Sequence, residues 1–177
     1  MVKKVVGFLA LALLIASLLL LWLLLRKPPM PDATRDPQAA QRFAAKLARL
    51  TLAHEQGIPS EIRLTEAEIN SQIEEGLKAH PPAAGEATVK GATVRLDGEM
   101  LIAVLAMNVK RWDVYVTVGG NLDFANGAVR LVPTEVRIGS VPVPASWMED
   151  KIDMEMELPE GITGVRVENS ELVVEAD

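Results

Sequence analysis

Residues Val5–Leu25 read VVGFLALALLIASLLLLWLLL, and no charge interrupts them. A run of this kind limits what the chain can fold into more than any other feature. As a helix rising roughly 1.5 Å per residue it extends about 31 Å, close to the ~30 Å hydrocarbon thickness of a bilayer. Lys3 and Lys4 precede it, and Arg26 and Lys27 follow. A helix buried in a soluble core keeps a polar stripe, which this run lacks. A cleaved secretory signal has an apolar core of roughly 7–15 residues followed by a small-x-small site. Here the run is longer, and LLLLWLLLRKPPM offers no such site. Residues 1–27 are therefore expected to form an uncleaved transmembrane anchor. Its short basic leading flank predicts a cytoplasmic N-terminus and an extracytoplasmic C-terminal domain, giving a single-pass cell-membrane protein.

Charge is informative only once the anchor is set aside. Four of the 18 basic residues flank the run and all 24 acidic residues lie beyond it, which leaves residues 28–177 at a net −10. Nucleic-acid phosphates need a basic footprint, so no nucleic-acid partner is expected. The chain has no cysteine, so disulfides, thiol catalysis and thiolate metal sites are excluded. The lipid bilayer itself, met through Val5–Leu25, is the first partner the sequence implies.

Beyond the anchor, PPMPDATRD at Pro28–Asp36 predicts an extended proline-rich linker. A domain over 37–177 follows. Asp36-Pro37 reads as a helix start, with Phe43, Leu47, Leu50 and His54 on one face and Gly57 as the stop. His54 reads as a capping or half-buried side chain. LTEAEINSQIEEGLKAH carries the clearest local signal. Thr65 and Glu68 make a capping box, and Leu64 and Ile69 a hydrophobic staple. Glu66, Glu68, Glu74 and Glu75 are expected to face solvent, and Asn70 to bond backbone from an adjoining strand.

From Ala87 the hydrophobic period changes from helical to alternating. Turns at Asp97-Gly98 and Ala125-Asn126-Gly127 separate strands that should form an antiparallel meander. Gly91 marks a bulge, and Pro133 an edge or a break. The strand Met100–Val109 is apolar throughout, which predicts cover on both faces. Ala145–Glu157 reads as a short extra helix with an acidic outer face. GVRVENSELVVEA reads as a closing hairpin turning at Asn169-Ser170. The expected class is α+β: an N-terminal transmembrane helix, then two helices packed on a curved antiparallel β-meander, with a short extra helix and a C-terminal hairpin.

The N-terminal span, the LTEAEIN helix entry, the NGAVRLVPTEVRIGSVPVP run and the terminal ENSELVVE hairpin resemble the YpmS-like family of single-pass membrane-anchored envelope proteins. The resemblance covers most of the chain, and none of its motifs is catalytic. Its plan, a curved sheet wrapped against a helix, implies by fold analogy a likeness to tubular lipid-binding modules.

No Gly-x-Ser-x-Gly, phosphate-cradling glycine loop or histidine pair is present, so an enzyme is not expected, nor a cofactor or metal. Two functions remain. One is binding of lipid or an acyl chain in an apolar groove lined by Met100, Ile102, Val104, Met107, Trp147 and Met148. The other is an envelope scaffold that docks a membrane or cell-wall protein.

Overall fold

The computed structural model describes residues 15–26, 36, 38–79, 83–84, 87–146 and 155–177. Three helices precede most of the sheet: α1 (15–25), α2 (Ala39–Glu55) and α3 (Glu66–Ala79). The strands are β1 (Ser60–Leu64), β2 (Ala83–Ala84), β3 (Ala87–Asp97), β4 (Met100–Val109), β5 (Trp112–Ala125), β6 (Ala128–Ile138), β7 (Val141–Val143), β8 (Glu155–Glu157), β9 (Ile162–Glu168) and β10 (Glu171–Ala176).

Four parts of the expected fold require correction. First, α1 has 11 residues, and no helix among the described residues is long and apolar enough to cross a membrane. Eleven residues rise only about 16 Å as a helix, half of what a crossing takes. Residues 1–14 and 27 of the expected anchor and residues 28–35 of the expected linker lie outside the described residues. Second, the described residues are mostly strand, and they form two sheets where a meander with a closing hairpin was expected. The larger has order β2-β3-β4-β5-β6-β7, with β8 pairing on β6. The smaller has order β1-β10-β9. The closing hairpin β9–β10 thus joins β1, which lies more than a hundred residues earlier. Third, the expected helix Ala145–Glu157 ends in strand: Met156 pairs with Val129 in an antiparallel ladder. Fourth, Glu66 and Glu68 do not face solvent.

Local chemistry explains the last point. Thr65 and Glu68 form the reciprocal capping box. The Thr65 N–H donates to Glu68 Oε2 at 2.9 Å, and the Glu68 N–H donates to Thr65 Oγ1 at 3.4 Å. Leu64 and Ile69 meet in the core as the staple requires. Glu68 is only 1% exposed because α2 brings Lys46 over it, with Nζ 2.8 Å from Oε2. On the next turn Asn70 bonds the backbone of Val94 twice, donating to its carbonyl at 2.8 Å and accepting from its N–H at 2.6 Å. Glu66 accepts from the Leu96 N–H at 2.7 Å. One helix therefore satisfies the edge of β3 that β4 leaves open.

Two-residue turns set the hairpins, and three of them show how. Gly98 (φ +65°) opens the β3–β4 turn. Asn126 and Gly127 (φ +54° and +78°) make the β5–β6 turn, and Asn169 and Ser170 (φ +51° and +61°) the β9–β10 turn. The last two have the paired positive φ values of type I′ turns. Register shifts fall at Val89/Gly91 and at Gly119/Gly120. Pro133 sits opposite Gly120, between the stretch of β6 paired by β8 and the stretch paired by β7. Its missing N–H therefore removes no ladder bond on that side.

Pairing assigns the faces of the large sheet. Leu96, Val94, Ala92 and Val89 of β3 lie beside Leu101, Ala103, Leu105 and Met107 of β4, and then Gly120, Val118, Val116 and Val114 of β5. This inner face packs at one end on α3 and the small sheet, where Val94, Leu96 and Val167 are buried with Ile73 and Leu101 around them. Its middle is the cluster of Val116, Val118 and Val136, with Leu105 and Met107 against it. At its other end lies α1.

Candidate functional site

The C-terminal end of α1 is fixed to the sheet through backbone. The last carbonyls of a helix lack partners within it. Here the Ser140 N–H, in the β6–β7 turn, donates to the Leu23 carbonyl at 3.0 Å. The adjacent Gly139 has φ +60°, and its N–H bonds the Tyr115 carbonyl at 2.7 Å. The approach is so close that a Cβ at Gly139 would fall 2.2 Å from the Leu24 carbonyl oxygen.

Below this junction a groove of about 490 Å³ opens between α1 and the sheet. Leu21, Leu24 and Leu25 face it from the helix, at the i, i+3, i+4 spacing of one helical face. Val109, Trp112, Val114 and Ile138 face it from the sheet. Val109 and Trp112 are cross-strand partners and Val114 is two residues on, so strand alternation places them on one face. The groove size lies within the roughly 300–1,000 Å³ of small-molecule sites. Among the described residues, its charged lining residues are Lys110 and Arg111, the β4–β5 turn. Asp113 follows on the opposite face, where it accepts from Lys90 Nζ at 2.6 Å and Asn108 Nδ2 at 2.8 Å. Those two donors, Lys90 first, hold its carboxyl below the usual carboxylate range.

The residues expected to line a groove are not brought together. Met107 is on the inner face, half-buried against the Val116 cluster. Met100, Ile102 and Val104 alternate onto the outer face. There Met100 is exposed, Ile102 half-buried, and Val104 buried beside its cross-strand partners Thr93 and Thr117. Trp147 and Met148 lie outside the described residues. The strand is thus apolar on both faces: the inner one packs on the core, and the outer one runs from exposed Met100 to buried Val104. The groove that does form uses Trp112, which begins β5, and α1 residues whose apolar run signalled only lipid affinity. Its strand half was written as Val109, Trp112 and Val114 around a two-residue basic turn.

A second cleft of about 370 Å³ lies between α3 and β3, and its lining is mixed, with Glu74, Lys78 and Lys90 beside Leu77 and Val89. His54 is exposed and not half-buried. Its Nδ1 hydrogen-bonds the Asp177 carbonyl at 2.5 Å, so it fastens the C-terminal strand to α2. Among the described residues no group of three His, Asp or Glu side chains is arranged to hold a metal ion. Compared with known proteins, the chain matches no family model, no curated protein and no solved structure.

Proposed function

We propose that this chain is a non-catalytic, membrane-associated module that binds a lipid acyl chain in the groove between α1 and the inner face of the sheet. The observation that carries the proposal is the groove's composition. Two elements far apart in sequence both turn aliphatic side chains toward a space of about 490 Å³. An acyl chain seated there leaves water at roughly 0.8 kcal/mol per buried methylene, which needs no catalytic group. Ile15, Leu18, Leu19 and Trp22 on α1 are exposed, and they favour attachment of this end of the chain to lipid. On this reading the acidic remainder sits on the extracytoplasmic side of a cell membrane. The resemblance to the YpmS-like family, read from the sequence, points the same way by analogy.

The test is native mass spectrometry with lipid extraction on the full chain in mild detergent, because truncation before residue 27 removes one wall of the groove. The expected result is a lipid retained at fixed stoichiometry and lost in Val114→Asp while the far-ultraviolet spectrum of the sheet is preserved. A lipid-free mass that persists after incubation with phosphatidylglycerol and phosphatidylcholine vesicles overturns the reading and favours docking of a protein partner.

A further inference from the structure

Trp112 opens β5 directly after the β4–β5 turn, and it is 56% exposed. Its backbone is paired with Val109 across the hairpin, and the Arg111 N–H closes the turn on the Val109 carbonyl at 2.7 Å. The strand therefore holds the indole outward at the tip. Such a ring is favoured where its apolar body meets lipid and its N–H meets water. Trp22 of α1 shows the same exposure, 59%, with the Arg26 guanidinium 5.3 Å from its ring centroid.

The two tryptophans belong to one body. The Ser140 N–H bond to the Leu23 carbonyl, and the close approach of Gly139 to Leu24, fix the end of α1 to the β6–β7 turn. Leu21 and Leu25, which bracket Trp22 in the helix, line the same groove as Trp112. The end of α1 therefore cannot enter lipid without bringing the β4–β5 turn to the bilayer surface.

We propose that the β4–β5 turn is a second membrane contact, in which Trp112 enters the headgroup boundary beside Trp22 and opens the rim of the groove to the bilayer. The inference rests on the reading that α1 attaches to lipid. The bilayer is the occupant because the exposed apolar side chains of α1, Ile15, Leu18 and Leu19, are continuous with this rim through Leu21, itself 44% exposed. The contact is made by an indole, so it forms on phosphatidylcholine, which has no net charge.

The experiment uses the full chain reconstituted in phosphatidylcholine bilayers, with Trp22→Phe/Trp147→Phe leaving Trp112 as the one tryptophan. Lipids brominated near the glycerol end or near the methyl end of the acyl chain quench an indole on contact. Trp112 emission is expected to fall by about half with the first and clearly less with the second, as an interfacial position requires. The same result is expected with Val114→Asp added, which empties the groove, because the quenching lipid is the bilayer. Quenching that vanishes in Val114→Asp comes from groove lipid alone; it overturns the membrane contact and leaves the groove reading standing. An unquenched Trp112 also overturns the contact if Trp22, kept alone by Trp112→Phe/Trp147→Phe, is quenched. Quenching of neither overturns the attachment of α1 to lipid, and the inference with it. In a background lacking all three tryptophans, Glu99→Trp places an indole in the β3–β4 turn, at the other end of β4, and it should stay unquenched. Equal quenching there overturns the assignment of the contact to the β4–β5 turn.

Discussion

Lys46 of α2 and Glu68 of α3 form an ion pair in which the carboxylate is almost wholly enclosed and the ammonium is about one-third exposed. Burial pushes the Glu68 carboxyl up, but the Lys46 hydrogen bond and the Thr65 N–H together outweigh it, and the net displacement is downward. A depressed folded-state value means that the stabilisation is fully present above the unfolded value of 4.5. It is lost as pH falls through the lower folded-state value. Urea unfolding of wild type is expected to weaken progressively below about pH 4.5, while Glu68→Gln is weaker at neutral pH and flatter in that acid window. Lys46→Met leaves the carboxylate with Thr65 and the more distant Arg42, and should cost about 1–3 kcal/mol at pH 7.

Asn70→Leu removes both hydrogen bonds to Val94 and leaves a buried backbone donor and acceptor without partners. The expected loss is about 2–3 kcal/mol by chemical denaturation. Amide exchange gives a sharper readout. The Val94 N–H, protected in wild type although it lies on a strand edge, should exchange far faster in the variant, while amides bonded within the β4–β5 ladder change less.

Gly119 and Gly120 are neighbours with opposite tolerances. A Cβ at Gly120 would fall 2.2 Å from the Val132 carbonyl oxygen, which is backbone and cannot swing away. At Gly119 the nearest atoms are 3.7 Å off, an ordinary contact. Gly120→Ala should therefore cost about 3 kcal/mol or more through backbone strain, and Gly119→Ala less than about 1 kcal/mol. Paired thermal melts check both.

Met107→Asp and Ile102→Asp separate the two faces of β4. Met107 packs on the Val116, Val118 and Val136 cluster, so a carboxylate there should cost about 2–4 kcal/mol. Ile102 is half-buried like Met107, but it is on the outer face and outside the buried clusters, and its replacement should cost less than half as much. Equal losses would mean that the outer face is covered as fully as the inner.

Gly139→Ala tests the groove without touching its lining. The added methyl meets the Leu24 carbonyl, so α1 must shift away from the β6–β7 turn. Retained lipid should fall at least severalfold while the far-ultraviolet spectrum of the sheet is preserved. Unchanged lipid retention would show that α1 is not a wall of the site.

What could be read in the sequence was what acts over a few residues. The Thr65–Glu68 box, the Leu64–Ile69 staple and the Asn126-Gly127 and Asn169-Ser170 turns are fixed by spacings of five residues or fewer, and the structure contains each of them. The bulge at Gly91 belongs with them. Asn70 was legible for another reason: a polar side chain beside Ile69 on a packed helix needs a partner. The division into two sheets was not legible, because β1 finds β10 across more than a hundred residues and no local pattern specifies that match. The enclosure of Glu68 was missed because a carboxylate in a first helical turn is adequately explained by the helix dipole. Only the arrival of α2 gives it a lid. The groove needed both kinds of information at once, a strand alternation and a helix brought to it from elsewhere in the chain.

An uncovered β-strand edge is an invitation to another chain, since its free N–H and C=O groups will accept any extended segment. Along β3 that invitation is withdrawn by side chains: Asn70 imitates a neighbouring peptide unit at Val94, and Glu66 takes the amide at Leu96. Crowding this protein at high density should therefore not zip copies together along this flank. Growth of fibrils or strand-swapped pairs would have to begin elsewhere, and the Asn70 substitution is the change that would reopen it.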